Sequence, residues 1–297
     1  MNKLYLVDSS IYIFRAWFSL PDTLSNSEGD SNNAFLGFTD FVYHFLHNER
    51  PHKLVFAFDE SLQKSARKDI YPEYKANRSP APDDLKRQFS WCRDWIRALG
   101  IALVSSDQYE ADDLIGSLAE YHRSDTCKII ILTADKDLAQ LIRTHDLWWS
   151  FATGQQFGYR ALIKKFGVRP EQIADQLALA GDKVDNIPGI PGVGMTIAAR
   201  LLTKFETLQN LRENLDSVKL MKFRGSERIM QLLREHESVL DISSLLTPIN
   251  CHIAEMQDVQ ADRKGADNAA LLSMMEWHGM DQGRQQKWLQ LIGSQTL

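Results

Sequence analysis

Tyr109-Glu110-Ala111-Asp112-Asp113 sets three carboxylates within four residues at the start of an apolar-periodic run. Read as a helix from Asp112, the run buries Leu114, Ile115, Leu118 and Ala119, and Glu110 and Asp113 fall three apart on a neighbouring face. Acids in a first helical turn are favoured by the dipole and by unpaired N–H groups, so capping alone accounts for this cluster taken in isolation. It does not account for the acids elsewhere. Asp8 follows the apolar run 4–7, Asp59 follows 54–58, and Asp135 and Asp137 follow 129–132, while Asp182 and Asp185 follow a helical pattern over 173–180. Three of these sites end buried strands, the place where open α/β sheets hold their ligands.

Working outward, strand-like runs at 3–7, 53–58, 101–104 and 128–132 alternate with helical patterns at 34–46 and 85–99, and 147–151 and 159–166 continue the series. This alternation predicts an α/β fold, a parallel sheet flanked by helices on both faces. Residues 21–33 read as a polar loop. Trp91 and Trp95, four apart on an amphipathic helix ended by Gly100, read as core packing. From Pro170 onward helices dominate, so the expected organisation is an α/β core over 1–169 and a helical region over 170–297.

The chain of 297 residues is 44% hydrophobic and 25% charged, an ordinary globular composition. No apolar run approaches a membrane span, and no signal-peptide pattern precedes the first strand. Cys92, Cys127 and Cys251 are odd in number and match no zinc spacing, which predicts reduced thiols and a cytoplasmic protein. The net charge of −5 argues at first against a polyanionic partner. Setting aside the nine acids at 8, 59, 110, 112, 113, 135, 137, 182 and 185 out of 39 leaves 30 acidic against 34 basic residues. If those nine face cations, the remaining surface is mildly basic.

Composition shifts between residues 61 and 84, where Lys64, Arg67, Lys68, Lys75 and Arg78 are interleaved with Tyr71 and Tyr74. Basic side chains neutralise phosphates and aromatic faces stack on bases. The plainer reading is a solvated connection, and the neighbouring acids favour nucleic-acid contact over it. Arg15 reads either as a snorkelling surface residue or as a phosphate contact. Asp182 to Gly194 carries two Pro and three Gly within seven residues ahead of a helix, a rigid turn that exposes N–H groups to an anion.

Nine carboxylates sharing one cleft stay ionised only beside cations. No His or Cys accompanies them at ligand spacing, so the donors are all oxygen and select Mg²⁺ or Mn²⁺ over zinc. Two such ions about 4 Å apart activate water and stabilise both oxygens of an in-line phosphoryl displacement. The residues therefore point to metal-dependent phosphodiester hydrolysis.

The motifs Leu6-Val7-Asp8-Ser9-Ser10, Tyr74-Lys75-Ala76-Asn77-Arg78, Pro82-Asp83-Asp84-Leu85, Glu110-Ala111-Asp112-Asp113, Asp135-Lys136-Asp137 and Gly181-Asp182 through Gly194 come in an order that resembles the 5′ nuclease family. That family holds the 5′→3′ exonuclease domain of bacterial DNA polymerase I, bacteriophage 5′ nucleases and flap endonucleases. The resemblance reaches about residue 246, and with no polymerase-like sequence after it a free-standing member is expected.

The resemblance implies a PIN-like sheet, a helical arch over 61–84 that threads single-stranded 5′ tails, and a helix-three-turn-helix over about 173–205. Asp8, Asp59, Glu110, Asp112 and Asp135 would hold a first ion, and Asp137, Asp182 and Asp185 a second, with Asp113 near both. Lys75 and Arg78 would meet the scissile phosphate and act in catalysis with Asp135. Arg15, Arg67 and Tyr74 would contact DNA, as would Gly189, Gly192, Val193 and Gly194, the last group also offering carbonyls to K⁺. The partners implied are DNA with a 5′ flap, nick or single-stranded end, an RNA primer included, bound by a monomer.

Three positions depart from the family pattern: Ser9 where Gly is frequent, Thr196 where a basic residue is common, and Ala66 before Arg67 in place of an aromatic. None is a metal ligand. Two rival readings are a catalytically weak module that binds branched DNA and a PIN-type RNA nuclease. A phosphatase beginning Asp-x-Asp is excluded by Ser10.

Overall fold

The computed structural model describes residues 2–60 and 65–294. The first half runs β1 (Asn2–Asp8), α1 (Ser9–Ser19), α2 (Asn33–Glu49), β2 (Lys53–Asp59), α3 (Ala66–Ile70), α4 (Asp83–Ala98), β3 (Ala102–Ser106), α5 (Ala111–His122) and β4 (Cys127–Leu132). Then come β5 (Leu147–Ser150), β6 (Gln155–Gly158), α6 (Tyr159–Phe166), α7 (Ile173–Ala180), α8 (Met195–Phe205) and α9 (Leu208–Glu213). The chain closes with α10 (Ser226–Glu235), α11 (Glu237–Leu246), α12 (Asn268–Trp277) and α13 (Gln282–Ser294). No described helix is long and apolar enough to cross a membrane.

The strands form one sheet in the order β3-β2-β1-β4-β5-β6. Five are parallel, and β6 pairs antiparallel with β5, Leu147 facing Gly158. The expected parallel sheet is thus mixed. β6 is a four-residue edge strand of partly exposed side chains and offers no apolar run to read.

Alternation along the strands divides the core in two. Leu4, Leu6, Val55, Ala57, Ile129 and Ile131 pack with the apolar stripe of α5 and with the helices from α7 to α11. Tyr5, Val7, Leu54, Phe56, Phe58 and Ile130 pack on the other face with α1, α2 and α4. Trp95 is fully buried there, and Trp91 lies edge-on to Trp277 and His278.

The second half does not stay apart. Beyond α11 the chain returns to the first half: the N–H of Leu54 donates to the Ala261 carbonyl at 2.8 Å, and that of Lys264 donates to the Gly100 carbonyl at 2.8 Å. Leu271 and Met275 of α12 and Trp288 of α13 then join the core cluster of α2 and α4. The expected helical region over 170–297 is therefore not a body apart from the core: Ile253, Met256 and Ala261 pack on the α5 face of the sheet, and α12 and α13 lie against α2 and α4 on the other. The cause is the apolar face of α12 and α13, which is buried against α2 and α4.

Candidate metal centre

Strand order reverses at β1, which lies between β2 and β4, and the crevice beyond their carboxyl ends is the place for a ligand in such a sheet. Asp8 ends β1, Asp59 ends β2, and Asp135 and Asp137 leave β4. Glu110 and Asp112 come from the start of α5, and Asp182 and Asp185 from the loop after α7.

Seven of the nine acids are linked by mutual repulsion, and Glu110 joins them through Lys75, which also reaches Asp185. Burial drives the Asp8 carboxyl up to about 8, with Asp59 and Asp135 adding repulsion. Burial raises Asp137 likewise to about 8, helped by Asp135, Asp182 and Asp185. Asp112 is pushed well up by burial and then by Asp135, Asp8 and Asp59. Asp135 is raised by burial and by Asp185, although the Asp137 N–H donates to it at 2.9 Å. Glu110 goes the other way. Its burial is outweighed by Lys75 and Arg67, which hold it below the usual carboxylate range.

Neighbouring donors orient the acids. Thr133 donates to Asp8 at 2.9 Å, and Ser10 donates to Asp59 at 2.8 Å. The N–H of Ala111 donates to the other oxygen of Asp59 at 2.9 Å. Lys136, between two acids in sequence, reaches Asp182 at 2.6 Å. Lys136 and Ser10 lie inside motifs that the sequence shows, but the sequence assigns no role to them or to Thr133. Only the alternation within Thr133-Ala134-Asp135-Lys136-Asp137 hints at a polar wall there.

Asp113 is a correction to the sequence reading. Both of its oxygens are engaged by Arg67 at 2.7 Å, and one also accepts the Asn250 N–H at 2.9 Å. The Glu110 N–H donates to it at 3.4 Å, so the plain capping reading holds for this acid. Arg67, read as a DNA contact, has a side chain only 12% exposed and is spent on this clamp.

The segment read as an arch is compact where it is described. Residues 61–64, with Lys64, lie outside the described residues. α3 has five residues, and turns follow to residue 78. The turn around Lys75 is held against the 182–187 loop. The Lys75 N–H donates to the Asp185 carbonyl at 2.9 Å, Asn77 donates to the Lys183 carbonyl at 3.0 Å, and Asn186 donates to the Glu73 carbonyl at 2.6 Å. Lys75 and Asn186 both take positive φ of 54°, a local strain that this interlock supports.

Lys75 Nζ meets Glu110 at 2.6 Å and Asp185 at 3.6 Å, and Arg78 pairs with Asp185 at 2.5 Å. Burial works against the Lys75 charge, but Glu110 outweighs it and its pKa rises. Tyr74 is another correction. It is 3% exposed, with its hydroxyl 3.2 Å from Glu110, so no ring face is offered to a base.

In the Gly-rich turn, Gly189 crosses the end of α7 so closely that a Cβ would lie 2.3 Å from the Gly181 nitrogen. Gly192 takes φ of +79°, and Gly194 caps α8 with open space around it. Val193 is 3% exposed and its N–H is bonded to the Ile190 carbonyl, so neither its side chain nor its N–H is available to DNA. Arg15 stands exposed on α1.

The donor set fits hard divalent ions. It is all oxygen, its carboxylates repel one another, and Asp137 Oδ1 is buried without a hydrogen-bond partner. Among the described residues no three His, Cys, Asp or Glu side chains close around one ion-sized point. The acids instead line a wall on which Lys75, Arg78 and Lys136 supply part of the positive charge.

Comparison with known proteins gives the family. Residues 3–167 match the family described as 5′-3′ exonuclease, N-terminal resolvase-like domain, and residues 168–269 match 5′-3′ exonuclease, C-terminal SAM fold. The 5′-3′ exonuclease of Aquifex aeolicus is 41% identical over 214 residues, 72% of this chain and 73% of that protein. DNA polymerase I of Bacillus caldotenax is 36% identical over 252 residues, 84% of this chain but only 28% of the polymerase.

Two solved structures share the fold. The bacteriophage T5 flap endonuclease in complex with DNA and metal ions aligns with a TM-score of 0.66 at 19% identity, covering 94% of this chain and 100% of that one. The catalytic core of Rad2 in complex with DNA substrate gives 0.65 at 18% identity, covering 99% and 92%. The carboxylate wall at the switch point of the sheet and the two domain matches that span it lead to one statement: this chain belongs to the 5′-3′ exonuclease family.

Proposed function

We propose that this chain is a divalent-metal-dependent 5′ nuclease that hydrolyses phosphodiester bonds of DNA at 5′ ends and 5′ flaps. The observation that carries the reading is the shared field of Asp8, Asp112, Asp135 and Asp137, four carboxylates that burial and mutual repulsion push upward together. Crowding of this kind is tolerated beside cations.

Asp8, Asp59, Glu110, Asp112 and Asp135 are the residues to hold a first Mg²⁺ or Mn²⁺, and Asp137, Asp182 and Asp185 a second. When bound, such ions lower the pKa of water and neutralise phosphate charge. The chain's own groups do the rest. Thr133 and Ser10 fix the carboxylates of Asp8 and Asp59. Lys75 and Arg78 sit over Glu110 and Asp185, placed to draw a phosphodiester onto the wall and to stabilise the charge that develops on it. The turn from Gly189 to Gly194 is the proposed grip on duplex DNA and the place for K⁺. An RNA primer strand and a monomeric enzyme belong to the same proposal.

The intact acid set weighs against a binding-only module, and the two 5′-3′ exonuclease domain matches weigh against a PIN-type RNA nuclease. The test is cleavage of a labelled 5′-flap oligonucleotide. Wild type cleaves it with Mg²⁺ or Mn²⁺ and not in EDTA, and Asp135→Asn does not cleave it. Full cleavage by the variant, or none by wild type with either metal, refutes the proposal.

A further inference from the structure

The segment between α9 and α10 carries Lys219, Lys222 and Arg224, and the first turn of α10 adds Arg228, all exposed. The ion pairs of this neighbourhood, Arg212 with Asp241 at 2.7 Å and Arg234 with Asp216 at 3.0 Å, involve none of the four. The segment is nevertheless well fixed. Val218 is fully buried, and Met221 and Phe223 pack inward against the core, so Lys222 and Arg224 alternate outward between them. The Met221 N–H donates to the Val218 carbonyl at 3.0 Å, and Ser226 Oγ donates to the Lys219 carbonyl at 3.1 Å, closing the loop.

Packing places this strip beside the Gly-rich turn. A Cβ added to Gly192 would lie 3.7 Å from Leu232 Cδ1 and 4.0 Å from Ile229 Cδ1, so α10 lies directly under that turn. The first turn of α8, Met195-Thr196-Ile197, carries no charge, and the cations of that helix, Arg200 and Lys204, come later. Unneutralised cations on a rigid strip next to an exposed turn suit a polyanion of regular spacing. The exposed apolar residue among them is Leu220, and Phe223, the one aromatic of the strip, is partly buried against the core, so the strip lacks the row of stacking faces that single strands use.

We propose that Lys219, Lys222, Arg224 and Arg228 form a second phosphate grip, which holds the backbone of duplex DNA beside the Gly-rich turn without reading its sequence. The proposal rests on the nuclease reading and extends it to how the duplex arm is held.

The experiment measures binding of the full chain to a fluorescein-labelled nicked duplex by anisotropy, in EDTA, across a salt series. Each phosphate contact contributes about 0.9 to the slope of log affinity against log salt. The variant with all four residues changed to Ala therefore loses about 3 to 4 from that slope, while its Mg²⁺-dependent cleavage of a short single-stranded oligonucleotide is undiminished. An unchanged slope with cleavage retained overturns the strip and leaves the nuclease reading standing. A wild type that neither binds nor cleaves overturns both. The charge-reversed variant Lys222→Glu/Arg228→Glu, checked for native melting, binds the duplex more weakly than the corresponding Ala variant; equal affinity of the two also overturns the strip.

Discussion

Arg67 and Asp113 meet as a two-pronged pair, each guanidinium nitrogen 2.7 Å from its own carboxylate oxygen, and Arg67 also donates to the carbonyls of Leu246 at 3.0 Å and Pro248 at 3.1 Å. One side chain thus ties the start of the 66–79 segment to α5 and to the chain beyond α11. Arg67→Ala leaves a buried carboxylate without its cation and is expected to cost about 3–5 kcal/mol of stability, measured by denaturant unfolding. Pairing Arg67→Met with Asp113→Leu recovers most of that loss. A drop in DNA affinity at unchanged stability would assign Arg67 to the substrate instead.

Lys75 sits between Glu110 and Asp185 with its charge reinforced, the position for a group that meets a phosphate at the acid wall. Lys75→Ala is expected to slow flap cleavage about 10²-fold, the scale of losing one preorganised charge partner, with little change in affinity for nicked duplex. Equal losses of rate and affinity count against this placement.

Gly189 and Gly194 make opposite predictions from one turn. A Cβ at Gly189 would lie within 2.6 Å of three backbone atoms of Ala180 and Gly181, whereas nothing lies within 4 Å of one at Gly194. Gly189→Ala is expected to destabilise by about 3 kcal/mol or more through overpacking. Gly194→Ala meets open space and is expected to cost no more than about 1 kcal/mol, the scale of a poorer helix N-cap. Thermal melts of the two variants decide it.

His278 lies 1% exposed against Phe35, and burial lowers its pKa to about 3. A neutral buried imidazole favours the folded state above the ordinary histidine pKa, and this contribution is lost as pH falls from about 6.5 toward 3. By about pH 4.5 the loss is on the order of 2–3 kcal/mol, at 1.36 kcal/mol per unit. Raised carboxylates such as Asp8 and Asp137 act in the opposite sense, gaining stability as pH falls through about 8. The measurement is therefore the difference in unfolding free energy between wild type and His278→Phe across that range. A difference that does not change with pH rejects the buried-neutral histidine.

Sequence alone determined the strands that end at Asp8, Asp59 and Leu132, because short continuous apolar runs with acids at or just beyond their ends read as fully buried strands in a helix-alternating chain. It also determined the all-oxygen chemistry of the centre, since donor type is written in the residues. Which acid serves which purpose was left to the fold. Asp112 and Asp113 are adjacent in the chain, yet one joins the repelling cluster and the other turns to Arg67, a choice made by the rotation of α5 against its neighbours. Lys136, the docking of the Lys75 turn on the 182–187 loop, the antiparallel edge strand and the return of α12 and α13 to the sheet all depend on contacts between residues far apart in sequence. Local patterning carries no trace of such contacts, because it records which face of an element is buried and not what buries it.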